Sequence, residues 1–182
     1  MNVTYRALDY GSAGDRHHLA RWYNDPETRH LHTLFVNEEG LAHTFTQEDF
    51  MPERQGPPGG PSDAELIVLV DGTPVGEARM QMDLPKLITN ETNTAWLSLA
   101  IHEASLRRRG LGRQIASHLE DLAVEAGAER IEVGIFEYNE PSMRFFKARG
   151  YQEFSRRPHR AWWNGRLWDD VRLLKPLGVN EP

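Results

Sequence analysis

The chain of 182 residues contains no cysteine. This absence excludes disulfide cross-links, cysteine-based zinc sites and a thiol nucleophile, and it fits a cytoplasmic protein. No apolar run reaches the roughly 18 residues that a membrane-crossing helix needs, so no membrane partner is expected. The first nine residues lack a basic start followed by an apolar stretch, so no secretory leader is expected. Positive charge is in deficit, with a net charge of −6. General nucleic-acid binders carry a broad basic surface, so nucleic acid is not an expected partner. Mild acidity suits a cationic ligand such as an amine, or serves solubility alone. Internal repeats and low-complexity tracts are also missing.

What remains has the balance of an ordinary folded chain, with 39% hydrophobic and 26% charged residues, in a length that suits one domain. Val3 to Leu8 alternates as a first strand, and Asp15 to Tyr23 reads as a helix with Leu19, Trp22 and Tyr23 on one face. Asp25-Pro26 breaks that helix, and 27–55 is irregular with short helices such as Gln47 to Arg54. Residues 56–61, Gly-Pro-Pro-Gly-Gly-Pro, form a flexible loop. Glu65 to Val70 and Val75 to Met82 flank Asp71-Gly72, a hairpin signal. Ala95 to Ile101 is nearly all apolar, as expected for a strand covered on both faces. A helix follows over Arg113 to Ala126, with Ile115, Leu119, Leu122 and Ala126 as its apolar stripe, and then a strand over Ile131 to Phe136. Strand, helix, strand at this spacing predicts a right-handed crossover and a parallel pair. Pro141 opens a short helix at its first position and Gly150 closes it. Tyr151 to Trp163 and Leu167 to Leu174 form a last hairpin around Asn164-Gly165.

The informative segment is Arg107-Arg108-Arg109-Gly110-Leu111-Gly112-Arg113, placed after an apolar strand and opening a helix. A helix start already carries partial positive charge and unpaired N–H groups. Arginines there call for an anion, and glycines let the backbone approach it closely. A Walker loop needs a Gly-Lys-Ser/Thr ending, which is absent. A dinucleotide fingerprint needs a third glycine where Ile115 stands. A phosphate or pyrophosphate cradle and a solvated basic helix start both remain open from this loop alone.

Arg107-x-x-Gly110-x-Gly112 resembles motif A of the GNAT acetyltransferases, [Gln/Arg]-x-x-Gly-x-[Gly/Ala]. Leu99-Ala100-Ile101 stands ahead of it, as does the family's pantetheine-pairing strand, and Asn139, Ser142, Phe146, Gly150 and Tyr151 match its downstream run. The stretch from Ala20 to Glu27, with Asn24-Asp25-Pro26, and the tail from Trp163 to Asp170 are similar to the subgroup related to ribosomal-protein N-terminal acetyltransferases. The resemblance implies an α/β (α+β) fold: a central mixed, mostly antiparallel sheet of about seven strands with one splayed parallel pair, flanked by helices. It implies a single domain over 1–182, with a substrate-side strand and helices in 1–64 and an acetyl-CoA core and terminal hairpin in 65–182. Acetyl-CoA is the implied co-substrate. Leu99, Ala100 and Ile101 would meet the pantetheine arm, and Asn139, Ser142 and Phe146 would lie along it. Arg107, Arg108, Arg109, Gly110, Leu111, Gly112 and Arg113 would hold the pyrophosphate.

The implied activity is acetyl transfer to a primary amine by direct attack, without a covalent enzyme intermediate. The acceptor is a small-molecule amine or a protein N-terminus. Many family members place an acidic Tyr seven residues after the Asn; here that position is Phe146, and a phenyl ring donates no proton. Ser142 or an ordered water then protonates the thiolate, or Ser142 is only a small residue packed against the cofactor. Base candidates are Glu77, Glu137, Asp169 and Asp170, although a neutral amine needs none. Phe146 also motivates an alternative, an acyl-CoA-binding regulatory or scaffold module without turnover. A nucleotide-phosphate binder is a third reading.

Other residues carry two readings each. His30 and His32 pair on a strand face as metal ligands or are structural, and with no third ligand no metal is expected. His17 and His18 are exposed helix residues. Trp162, Trp163 and Trp168 line a substrate slot, support a homodimer or pack across strands. Glu27, Glu38, Glu39, Glu48 and Asp49 attract a cationic amine or form a solvated face.

Overall fold

The computed structural model describes residues 1–55 and 59–178. The loop expected at 56–61 lies partly outside the described residues. Seven strands are present: β1 (Val3–Ala7), β2 (Ala64–Val70), β3 (Thr73–Met82), β4 (Thr94–Ile101), β5 (Arg130–Phe136), β6 (Gln152–Trp163) and β7 (Arg166–Pro176). They form one sheet in the order β1-β2-β3-β4-β5-β7-β6. β1 to β4 pair antiparallel, and β4 with β5 is the parallel pair. The mixed sheet with its parallel pair is therefore as expected. The helices are α1 (Ala13–Tyr23), α2 (Arg29–His32), α3 (Glu38–Ala42), α4 (Leu111–Glu125) and α5 (Glu140–Ala148), with 3-10 turns at Gln47–Phe50, Pro52–Arg54 and Ala104–Leu106.

The chain divides into two compact units. The first comprises Met1–Leu8, Gly59–Val133 and Leu173–Pro182. Asp71-Gly72 turns β2 into β3 as expected. A bulge between Val68 and Leu69 in β2 shifts the register, so that Val68 faces Gly76 and Leu69 faces Pro74. On its other edge β3 comes so close to β4 that a Cβ on Gly76 would collide with the Ala100 carbonyl oxygen. α4 packs on β3 and β4. Its buried stripe is Leu111, Ile115, Ala116, Leu119 and Ala123. The expected stripe is corrected at Leu122 and Ala126, which are only half-buried. Each large apolar side chain so buried contributes about 1.5–3 kcal/mol. Glu132 of β5 is fully buried, and its carboxylate accepts from the amides of Ile88 and Thr89 at 3.0–3.2 Å, pinning the polar stretch before β4.

The second unit comprises Asp9–Pro58 and Gly134–Arg172. Ser12 caps α1, accepting from the Asp15 amide, and Leu19 and Trp22 are buried. The irregular stretch after Pro26 folds as short helical turns. Tyr23 meets Phe45 and Phe50 edge-on there, with ring centroids 5.5 and 5.1 Å apart. Of the helix histidines, His17 is exposed, while His18 is half-buried and stacks on Trp22. Pro141 is the second residue of α5, not the first, because Glu140 opens the helix. Asn164-Gly165 turns β6 into β7 as expected.

Candidate functional site

In the first unit, β4 pairs with β5 only through Thr94↔Arg130, Ala95↔Ile131 and Trp96↔Glu132. Burial follows this pairing. Thr94 to Leu97 are buried, while Ser98 to Ile101 are half-exposed although β3 still pairs with them. The strand end that was expected to be covered on both faces is thus open on one edge. Unpaired backbone groups at such an edge are available to an amide-bearing ligand.

The chain leaves β4 through a 3-10 turn and enters α4 two residues earlier than the sequence suggests, at Leu111. Gly110 caps the helix at φ 85° with no side-chain cap bond, and Arg108 also has positive φ, 57°. The first backbone donors of the helix proper are Arg113 and Gln114, both to the Gly110 carbonyl. Among the described residues, the amides of Arg108, Arg109, Gly110, Leu111 and Gly112 have no protein acceptor. Five adjoining free N–H groups at the positive end of a helix form a cradle for a multiply charged anion. Arg108, Arg109 and Arg113 are exposed and make no ion pair among the described residues. Arg107 differs. Its guanidinium turns back and donates to the carbonyls of Ile101 and His102 at 3.0 and 3.1 Å, tying off the end of β4.

Glu77 lies in the same unit, in register with Ala100. It is buried, 3.0 Å from Arg79 and 4.0 Å from Nε2 of His102.

In the second unit, Asn139 is buried and caps α5, its side-chain oxygen accepting from the Ser142 amide at 3.2 Å. Its Nδ2 donates to the Leu31 carbonyl at 3.3 Å. Ser142 is half-buried in the first turn, and Phe146 is buried with Phe145 and Tyr151 edge-on against it. Glu137 is well exposed and pairs with Arg156 at 3.0 Å. Arg156 also holds Glu153 at 2.6 Å and Asp169 at 3.7 Å, and these carboxylate contacts hold its guanidinium firmly charged. Asp170 is bound to Arg172 at 3.0 Å. Glu27, Glu38, Glu39 and Glu48 are exposed, while Asp49 caps a 3-10 turn.

His30 is not on a strand with His32; both lie on α2. Among the described residues no group of three metal-ligating side chains exists. The His30 ring lies flat on Trp163, with centroids 3.7 Å apart and planes 7° apart. The Tyr138 hydroxyl donates to the His30 carbonyl at 2.6 Å, and burial pushes that phenol well above its usual range. Trp168 sits edge-on to Tyr138 and donates from its indole to the Trp163 carbonyl at 2.9 Å. The three tryptophans are therefore not one set. Trp163 and Trp168 join this cluster, while the Trp162 amide donates to the Phe35 carbonyl. Nothing in the sequence brings His30 and Tyr138 together, because they are 108 positions apart.

Residues 20–151 match the family described as Acetyltransferase (GNAT) family. No protein of curated function matches the chain in sequence. Solved structures do. The Salmonella typhimurium protein yncA, solved with its cofactor acetyl-CoA, matches at 22% identity and a TM-score of 0.70, over 100% of this chain and 98% of that one. A ribosomal-protein-alanine N-acetyltransferase from Brucella melitensis matches at 20% identity and a TM-score of 0.69, over 96% and 99%. An aminoglycoside acetyltransferase, AAC(6')-Ib, in complex with coenzyme A matches at 18% identity and a TM-score of 0.67, over 96% and 95%. At these identities the likeness is one of fold. Among the described residues no helix is long and apolar enough to cross a membrane.

Proposed function

The chain belongs to the GNAT acetyltransferase family, and from that premise we propose that it transfers acetyl from acetyl-CoA to a primary amine by direct attack. The observation that carries the co-substrate is the run of five unpaired amides from Arg108 to Gly112 at the start of α4. A diphosphate offers oxygens enough for all of them, and Arg108, Arg109 and Arg113 add uncommitted positive charge. Gly112 admits the ligand to the backbone, and Leu111 anchors the turn from inside the core. Leu99, Ala100 and Ile101, on the open edge of β4, pair with the amides of the pantetheine arm. Arg107 serves the same arm indirectly by fixing the Ile101 carbonyl.

Asn139 meets the arm beside the cap that it gives α5, and Phe146 is the buried residue of that helix. Phe146 cannot protonate the leaving thiolate, so that role falls to the Ser142 hydroxyl, directly or through water. Of the carboxylates that could receive the amine proton, Glu77 and Glu137 each already hold an arginine. The acceptor is a small-molecule amine or a protein N-terminus, and residues 1–64 form its side of the site. The cytoplasm is the proposed location.

The test is turnover. Purified protein with acetyl-CoA and an amine panel should release free thiol and give products heavier by one acetyl group. Tight acetyl-CoA binding with no thiol release from any amine would favour the non-catalytic module that Phe146 suggests. Ser142→Ala should slow release without weakening acetyl-CoA binding. An unchanged rate at every pH would remove Ser142 from the chemistry.

A further inference from the structure

We propose that Lys86 is itself an acetyl acceptor, so that the protein modifies its own chain at the closed end of the gap between β4 and β5; this rests on the acetyl-transfer reading above. Every residue involved belongs to the first unit.

Three observations converge on Lys86. Its Nζ lies 4.2 Å from the centroid of the Trp96 ring, a cation resting on an aromatic face. Trp96 is the last residue of β4 that pairs with β5, in register with Glu132, so it marks the vertex where the open edge begins. The stretch that carries Lys86 is fastened to this same rung, because the amides of Ile88 and Thr89 donate to the buried Glu132 carboxylate. Its two ends are tied as well. The Asp83 amide donates to the Thr94 carbonyl and the Thr94 amide to the Asp83 carboxylate, both at 2.9 Å. Arg130 donates to the Thr92 carbonyl at 2.7 Å. The backbone on both sides of Lys86 is thus fixed, while its side chain is exposed.

The co-substrate approaches the vertex from the other direction. The free amides of 108–112 follow the C-terminal end of β4. An arm that starts there and pairs with Ile101 and Leu99 runs back along the strand towards Leu97. Those four steps of strand cover about 13 Å at about 3.3 Å per residue. The acetyl end of the arm is therefore directed at the Trp96 rung. The flexible four-carbon stem of a lysine lets Nζ swing from the ring to the strand edge.

The chain has three lysines, and the other two lack this placement. Lys175 pairs with Glu120 at 3.1 Å, and Lys147 lies on α5 in the second unit.

The step balances as follows. The Lys86 ammonium gives one proton to water, and the freed nitrogen pair forms the N–C bond to the acetyl carbonyl carbon. The C–S bond breaks with its electron pair remaining on sulfur, and the second nitrogen proton reaches the thiolate through water. Net, one lysine ammonium and acetyl-CoA give one acetyl-lysine, free thiol and one released proton.

The experiment incubates the full chain with acetyl-CoA and no added amine, and maps acetyl groups by peptide mass spectrometry. Lys86 should gain one acetyl group about tenfold or more faster than Lys147, because its amine is already positioned. The rate constant should not change with protein concentration, as an intramolecular transfer requires. Lys86→Arg keeps a cation on Trp96, offers no acceptor amine, and should lose this modification. A readout independent of turnover is protection: coenzyme A should shield Lys86, but not Lys175, from an amine-reactive label. If an amine panel yields free thiol while Lys86 stays unmodified, or gains acetyl no faster than Lys147, the Lys86 assignment is wrong and the acetyl-transfer reading stands. If neither the panel nor Lys86 takes up acetyl, both fall together.

Discussion

Arg107→Ala separates two roles that an arginine in this loop can play. The Arg107 guanidinium gives two hydrogen bonds, to Ile101 and His102, at 3.0 and 3.1 Å. A hydrogen bond from a charged donor contributes about 1.5–3 kcal/mol. The residue is half-buried, so water replaces part of what is lost, and the pair together is worth about 2 kcal/mol. In a chain of this size each kcal/mol moves Tm by about 2–4 °C, so the variant should melt about 4–8 °C lower without ligand. Arg107→Lys keeps the charge but not the fork, and should recover less than half of that loss. Coenzyme A affinity should fall only modestly, because the Ile101 carbonyl is less well fixed. The double variant Arg108→Ala/Arg109→Ala should show the reverse pattern. Tm should hold, while coenzyme A affinity should fall about tenfold or more, most strongly at low salt. Scanning calorimetry and isothermal titration read both quantities. An Arg107→Ala protein with unshifted Tm and abolished binding would show that Arg107 grips the phosphate itself, and the tie-off argument would be wrong.

Gly76→Ala forces a methyl group into the Ala100 carbonyl oxygen; it should cost about 1–3 kcal/mol in denaturant melts and weaken acetyl-CoA binding through displaced β4. Glu132→Gln leaves a buried side chain with one acceptor oxygen where two amides now donate. It should cost about 1.5–3 kcal/mol, and limited proteolysis should then cut within 84–93. The Thr46 amide and hydroxyl, with His43 and Arg54 nearby, hold the Asp49 carboxyl below its usual 3.8. Its stabilising contribution is complete above that ordinary value and should vanish as pH falls through the lower folded one. Asp49→Asn should flatten that part of the acid-stability curve.

Local signals proved readable where the cause is local. Asp71-Gly72 and Asn164-Gly165 turn where expected because a two-residue turn is specified by its own residues. The basic, glycine-bearing start of α4 is likewise visible, because charge, missing side chains and an upstream strand lie within one short stretch. Tertiary partners were not readable. Arg107 reads as one more phosphate ligand until its rotamer shows it tied to β4. Glu132 carries no sequence signal of its own, because the amides that it accepts from come from the 84–93 stretch more than 40 positions away. His30 lies in a stretch without periodicity, and its neighbours arrive from 108 to 133 positions away. Gly76 carries no turn signal, since its need comes from the neighbouring strand.

Arg108 holds a left-handed backbone, at φ 57°, where a glycine would sit without strain. That conformation costs an arginine about 1 kcal/mol. The fold therefore keeps a guanidinium at the helix mouth against its own local preference. Arg108→Gly would release the tension and yield a sturdier protein that captures its dinucleotide-like partner more slowly, so a screen for heat resistance alone would drift towards crippled catalysts.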